Sequence, residues 1–110
     1  MTSVTFFRSG TALCGFRASG HSGYAEAGSD IVCAAVSALC QTAEMGLRKI
    51  AKVDVSTRMD EDKGFLELTV PHPDHDSQVI LSTLEEGIKD IASQYPRYVR
   101  TTYLERRQST

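Results

Sequence analysis

The stretch DIVCAAVSALCQTAEMGLRKI, residues 30–50, decides the fold of this chain. Its apolar side chains recur at helical spacing, and the inward stripe is Val32, Val36, Leu39, Ala43, Leu47 and Ile50. A second stripe of the same helix carries Cys33, Ser37, Cys40 and Glu44. Asp30 precedes the first apolar residues and is predicted to be the N-cap, because its carboxylate can accept from N–H groups of the first turn. The stretch predicts an amphipathic helix from Ile31 to about Ile50, with a cysteine in its first turn.

Short strands and a second helix lie on either side of this helix. Runs of β-branched and aromatic residues separated by turn residues predict strands at residues 4–8, 12–19, 53–59, 65–70 and 97–104. In the second strand, alternation places Ala12, Cys14, Phe16 and Ala18 on one face. Asp74 or Asp76 is predicted to cap a second helix that runs to about Gln94, with Ile80, Leu84, Ile88 and Ile91 inward. The order ββαββαβ predicts an α/β (α+β) fold, a two-layer sandwich in which two long helices cover one face of a mixed sheet.

Length and charge restrict the classes of protein that this chain can belong to. Its 110 residues fit a single domain, residues 1–110. A net charge of −2 and a pI near 5.9 lack the basic footprint of a nucleic-acid-binding protein. No apolar run approaches the ~18 residues of a membrane span, and the first eight residues do not resemble a signal peptide. We therefore expect a cytoplasmic protein that binds neither nucleic acid nor membranes.

The chain contains three cysteines and three histidines, which are the residue types that form disulfides and bind metals. Three cysteines without an export signal do not predict a disulfide framework. Cys33 and Cys40 on one helix would lie about 10 Å apart, beyond the ~7 Å that a disulfide tolerates. The loop before the second helix groups His72, Asp74, His75 and Asp76, but no matched ligand set accompanies them. The sequence predicts no metal and no cofactor.

Cys33 and His21 are the residues whose placement suggests catalysis. At a helix start, N–H groups and the helix dipole favour thiolate over thiol, and the thiolate is the nucleophilic form. His21 lies twelve residues upstream on a glycine-rich loop that leads into the helix, so it could reach the sulfur as a general base. The alternative is that Cys33 is a small buried side chain and His21 a solvated one.

A resemblance favours the catalytic interpretation. Residues 20–25, GHSGYA, and residues 28–39, GSDIVCAAVSAL, closely resemble the ribosomal-processing cysteine protease family, Prp. Its pattern is a Gly-His-x-Gly-Tyr-Ala loop followed by Gly-x-Asp-Ile-Val-Cys-Ala-Ala-Val-Ser at a helix start, and every position is filled here. The resemblance extends over nearly the whole chain, including the break at Tyr95-Pro96 before the last strand. It implies that His21 and Cys33 form a catalytic dyad, that the protein is a homodimer, and that its substrate is the N-terminal extension of large-subunit ribosomal protein twenty-seven, cleaved beside an aromatic residue.

Other residues near the dyad receive supporting roles. Asp30 could orient His21 in addition to capping the helix, and Ser37, one turn below Cys33, could line the site or simply face solvent. The loop residues Gly20, Ser22, Gly23 and Tyr24 are predicted to contact the substrate, and the segment 20–29 to close over it. The competing hypothesis is a non-catalytic ribosome-associated module that binds a peptide or RNA through the same loop.

Overall fold

The computed structural model describes residues 1–20, 29–60 and 64–106, and for Ser29 and Asp30 it describes the backbone alone. The strands are β1 (Thr2–Ser9), β2 (Ala12–Gly20), β3 (Ser56–Asp60), β4 (Phe65–Thr69) and β5 (Val99–Glu105). The helices are α1 (Ser29–Met45), which continues into a π-helical segment (Gly46–Ile50), and α2 (His75–Gln94). This is the predicted ββαββαβ order, and the α+β fold class is confirmed.

The five strands form one sheet in the order β3-β4-β2-β1-β5. β1 is antiparallel to β2 but parallel to β5, and β4 is antiparallel to both of its neighbours. The sheet is therefore mixed, as predicted, and β2 lies at its centre with β4 and β1 on either side. Thr2 at the start of β1 lies opposite Gly20 at the end of β2 and Val99 at the start of β5.

One hydrophobic core fills the space between the sheet and the helices. Val4, Phe6 and Phe16 contribute from the central strands and are fully buried. The helical side of the cluster comprises Val32, Val36, Cys40, Ala43, Leu47, Leu81, Leu84 and Ile88. The inward stripe of α1 was thus predicted correctly except at two positions: Ile50 is 81% exposed, and Cys40, assigned to the second stripe, belongs to the core. The π-helical turn that begins at Gly46 holds more residues than an α-helical turn, so the phase of the stripe changes there.

A β-bulge shifts the predicted face of β2. Phe7 lies opposite Gly15 while Arg8 lies opposite Leu13, so Cys14 is the extra residue. Leu13 instead of Cys14 therefore joins the core cluster, and the prediction of Cys14 on the face shared with Phe16 is wrong. The side chain of Gln78 stabilises the bulge, since its amide donates to the Leu13 carbonyl at 2.6 Å and accepts from the Leu13 N–H at 2.7 Å.

Of the two residues that were predicted as the N-cap of α2, Asp74 is the one that caps it. Asp74 accepts from the N–H of Ser77 at 2.8 Å, and the Ser77 hydroxyl completes a capping box by accepting from the Asp74 N–H. His75 and Asp76 lie on the exposed surface of the first turn. No helix in the described ranges combines the length and the apolar character that a membrane span requires.

Candidate active site

Cys33 lies near the start of α1 and faces the end of the central strands. It is half-buried and makes no disulfide. Because α1 begins at Ser29, Cys33 is its fifth residue, later than the third position predicted with Asp30 as the cap. The unsatisfied N–H groups of a helix belong to its first four residues, which here are residues 29–32. Side chains of helical residues lean toward the N-terminus, so the sulfur still lies beside that first turn.

A cavity of about 760 Å³ opens beside Cys33, between α1 and the strands β2, β3 and β4. This volume lies in the range of ligand-binding clefts. α1 lines it with Cys33, Ser37, Cys40 and Glu44, which are the four residues of the second helical stripe in the sequence. Thr57, Met59, Phe65 and Leu66 line the opposite wall. This second stripe of α1 is therefore one wall of a groove, and Cys40 belongs both to this wall and to the core cluster.

The polar groups of this groove are partly engaged with one another. The Ser37 hydroxyl accepts from the Gln41 amide at 2.9 Å, and the side chain of Ser37 is exposed on the groove wall. Glu44 forms an ion pair with Arg48 at 2.9 Å, which balances its charge. The groove thus offers a mostly apolar surface with hydroxyl and amide groups along one helix, a surface suited to an extended peptide.

Thr2 contacts the cysteine directly. The Oγ1 atom of Thr2 lies 2.9 Å from the Sγ atom of Cys33, although the residues are 31 positions apart in the chain. Thr2 was not among the predicted site residues, because the first strand was predicted to begin at Val4. Continuing the alternation of Val4 and Phe6 back by two residues would have placed Thr2 on the same side of the sheet.

Gly20 and Gly64 pack closely together at the end of β2. A Cβ atom on Gly20 would lie 2.8 Å from the Thr2 hydroxyl oxygen, so only glycine fits beside it without a shift. The Gly20 N–H donates to the Gly64 carbonyl at 3.0 Å. Gly64 has a φ of +69°, and a side chain there would collide with the Gly20 carbonyl oxygen. Contacts with Thr2 on one side and with Gly64 on the other therefore fix the position of Gly20.

The structure brings together some of the predicted site residues. Cys33, Ser37 and Gly20 all line the cavity. Asp30 belongs to the first turn of α1, and its side chain lies outside the described part of the chain. His21, Ser22, Gly23 and Tyr24 also lie outside the described residues, as does most of the segment 20–29 that was predicted to close over substrate. The dyad and the closing loop therefore stay predictions.

The two other cysteines differ from Cys33 in their environment. Cys40 is 1% exposed, and its burial raises the pKa of the thiol to about 12. Burial also raises the pKa of Cys14, and the nearby Arg106 partly offsets this effect. Both thiols are therefore protonated at neutral pH and poorly nucleophilic. Cys33 and Cys40 both line the cavity, and of the three cysteines Cys33 is the one that is not buried.

Comparisons with known proteins agree with this arrangement. The family model described as Cysteine protease Prp matches residues 1–100. The fold is similar to the crystal structure of SMU.848 from Streptococcus mutans, with a TM-score of 0.87 and 32% identity over 96% of both chains. It is also similar to the essential ribosomal processing protease Prp from S. aureus in complex with a substrate peptide, with a TM-score of 0.82 and 20% identity over 94% of this chain and 100% of that one. No protein in the curated set matches the chain.

Proposed function

This chain belongs to the cysteine protease Prp family, and we propose that it removes the N-terminal extension of large-subunit ribosomal protein twenty-seven with a Cys33 thiolate and His21 as its base. Membership of a protease family makes the chain an enzyme and not the non-catalytic binding module considered above. The residues that act, the substrate and the assembly are the parts that we propose.

The observation that carries the proposal is the environment of the Cys33 sulfur. It is half-buried at the wall of a peptide-sized groove, whereas Cys14 and Cys40 are buried and have raised thiol pKa values. A catalytic thiol has to be reached by the substrate and to ionise at working pH, and buried apolar cysteines do neither.

Chain connectivity supports His21 as the base. His21 directly follows Gly20, so their Cα atoms are at most about 3.8 Å apart. Gly20 lies against Thr2, and Thr2 contacts the Cys33 sulfur at 2.9 Å. The last described residue before His21 thus packs against the hydroxyl that contacts the proposed nucleophile, and this supports His21 as its base.

The proposed reaction follows from these positions. His21 takes the proton of Cys33, and the thiolate attacks the scissile carbonyl carbon to form a tetrahedral intermediate. N–H groups of the first turn of α1 donate to the oxyanion. The intermediate collapses as His21 protonates the leaving amine, and water then hydrolyses the thioester with His21 again as the base. Asp30, which the structure places inside the first turn of α1 and not at the predicted N-cap position, would orient His21, and Ser37 would contact the bound peptide.

The choice of substrate rests on the family and on the groove. The S. aureus protease was crystallised with a substrate peptide and with a covalently linked product peptide. In this chain, Met59, Phe65 and Leu66 offer an apolar wall opposite α1, which suits an aromatic side chain next to the scissile bond. We further propose that the enzyme works as a homodimer in the cytoplasm, where ribosomal proteins are made, and that Gly20, Ser22, Gly23 and Tyr24 contact the peptide.

The test is cleavage of a synthetic peptide that spans the start of the host's ribosomal protein twenty-seven, followed by mass spectrometry. The parent should cut at one bond beside an aromatic residue, and Cys33→Ser should lose cleavage while remaining folded. Cys40→Ser is the matched control and should retain most activity. His21→Ala should lose roughly a hundredfold or more in kcat, whereas Asp30→Asn should be milder because Asn keeps the size of Asp and an oxygen that accepts hydrogen bonds.

Two results would contradict the proposal. Equal losses in Cys33→Ser and Cys40→Ser would remove the assignment of the nucleophile. A host protein twenty-seven that begins directly at its mature sequence would remove the substrate, although not the protease activity.

A further inference from the structure

We propose that Thr2 is a positioning residue for the nucleophile, whose hydroxyl donates a hydrogen bond to the Cys33 sulfur and holds it at the cavity wall. The inference rests on the proposed function, because it takes Cys33 to be the nucleophile. It assigns a role in catalysis to a β-strand residue that lies outside both motifs of the sequence.

The contact itself is close and its chemistry sets the direction of the hydrogen bond. Oγ1 of Thr2 and Sγ of Cys33 are 2.9 Å apart. A thiol could donate or accept in this contact, but a thiolate has no proton and can only accept. When Cys33 is ionised, the proton of the hydrogen bond must therefore come from Thr2. Hydrogen bonds to a charged acceptor are about twice as strong as those between neutral groups.

Thr2 is held firmly enough to position another side chain. It is 6% exposed and lies at the start of β1, between β2 and the edge strand β5. Its N–H donates to the Tyr98 carbonyl at 2.8 Å. Threonine is branched at Cβ, so its χ1 angle is restricted. Burial, the backbone hydrogen bond and the restricted χ1 angle thus limit the directions in which the hydroxyl can lie.

Gly20 leaves the space that the hydroxyl occupies. A Cβ atom at Gly20 would approach Thr2 Oγ1 to 2.8 Å and Thr2 Cβ and Cγ2 to 3.4 Å. The residue that precedes His21 therefore packs on the same hydroxyl that contacts Cys33. Thr2 links the strand end that bears the proposed base to the helix that bears the proposed nucleophile.

Position matters because nucleophilic attack needs the sulfur close to the carbonyl carbon and aligned with it, and small displacements cost large factors in rate. A sulfur without this hydrogen bond can rotate about χ1 of Cys33 away from the groove. Loss of the Thr2 hydroxyl should therefore reduce kcat much more than it changes KM, since Thr2 is one side chain of the cavity lining and the rest of the groove that binds the peptide is kept.

A matched pair of variants separates this role from a purely structural one. Thr2→Val keeps the shape and branching of the side chain but removes the hydroxyl, whereas Thr2→Ser keeps the hydroxyl and removes the methyl group. On the peptide of ribosomal protein twenty-seven, Thr2→Val should lose roughly tenfold to a hundredfold in kcat, with KM within about twofold. Thr2→Ser should stay within about threefold of the parent. A structural role predicts the reverse order, in which Ser is impaired and Val is not.

Two further measurements make each result decisive. Thr2→Ala also lacks the hydroxyl, so it should show the kcat loss of Thr2→Val, and thermal unfolding checks that each variant is folded. Alkylation of Cys33 by iodoacetamide at neutral pH needs no peptide substrate and should slow about threefold to tenfold in Thr2→Val but not in Thr2→Ser. Parent-like kcat and alkylation in Thr2→Val would overturn the inference.

Measuring Cys33→Ala in parallel keeps this inference apart from the proposed function. If Cys33→Ala still cleaves, the proposed function fails and the role of Thr2 fails with it. If Cys33→Ala is inactive while Thr2→Val behaves as the parent, the proposed function stands and the role of Thr2 alone is refuted.

Discussion

The three thiols should react at very different rates with iodoacetamide in the folded protein. Cys40 has a thiol pKa raised from 9.0 to about 12 by its burial. At pH 8 an ordinary thiol of pKa 9.0 is about one-tenth thiolate, whereas Cys40 would be only about one ten-thousandth thiolate. The reactive form of Cys40 is therefore about a thousandfold rarer, and the reagent must also enter the core to reach it. Cys14, which is 3% exposed, is protected in the same way.

The assay is intact mass spectrometry over time, with peptide mapping of the modified site. The native protein should acquire one adduct per chain, on Cys33, and all three cysteines should react once denaturant unfolds the chain. Cys33→Ser is the control and should acquire no adduct while folded. Modification of Cys40 at a rate within tenfold of that of Cys33 would refute both the burial of Cys40 and the assignment of Cys33 as the accessible thiol.

Three other predictions concern stability and the edge of the site. Leu47→Ala should lower the free energy of unfolding by about 2–5 kcal/mol, because Leu47 is fully buried, whereas Met45→Ala, at a side chain 48% exposed, should be nearly neutral by urea denaturation. Raising the pH from 8 to 10 should lower the free energy of unfolding by about 1.4 kcal/mol through Cys40. In the folded protein the thiol, with a pKa of about 12, stays protonated, whereas in the unfolded chain the same thiol, with a pKa of 9.0, ionises and stabilises the unfolded state. If Cys40→Ala shows the same dependence of stability on pH as the parent, this prediction is wrong. Gly64→Ala should lower both the stability and kcat more than Gly10→Ala does. Both glycines have a positive φ, but only a side chain at Gly64 would collide with the end of β2. Equal effects in the two variants would show that the collision is relieved.

Periodicity in the sequence predicted what depends on local patterns. The helical spacing in α1 identified Val36, Ala43 and Leu47 as residues of the core, and the β-branched and aromatic composition of residues 4–8 identified β1 as a strand. The cap at Asp74 was one of two candidates, and its capping box with Ser77 identifies it as the one used. These features are determined by residues within a few positions of one another.

Features that depend on distant contacts were not predictable in this way. The bulge at Cys14 is held by Gln78, 65 residues away from Leu13, and it reverses the face that simple alternation assigns. The contact of Thr2 with Cys33 joins a strand to a helix across 31 residues. Neither pattern appears in any short window of sequence, since tertiary packing selects the register and the partner.

The parallel pairing of β1 with β5 has a consequence for when the enzyme matures. The hydroxyls of Thr5 and Thr102 form a hydrogen bond of 2.7 Å although the residues are 97 positions apart. β1, the first strand to be translated, therefore cannot pair with β5 until β5 has been synthesised. At the usual speed of translation, this separation corresponds to roughly 5–20 s. During that interval the N–H of Thr2 lacks the Tyr98 carbonyl that anchors it in the finished protein. A nascent chain therefore contains Cys33, the proposed nucleophile, before the contact that fixes Thr2 beside it can form, and on this proposal protease activity begins only after β5 has been synthesised.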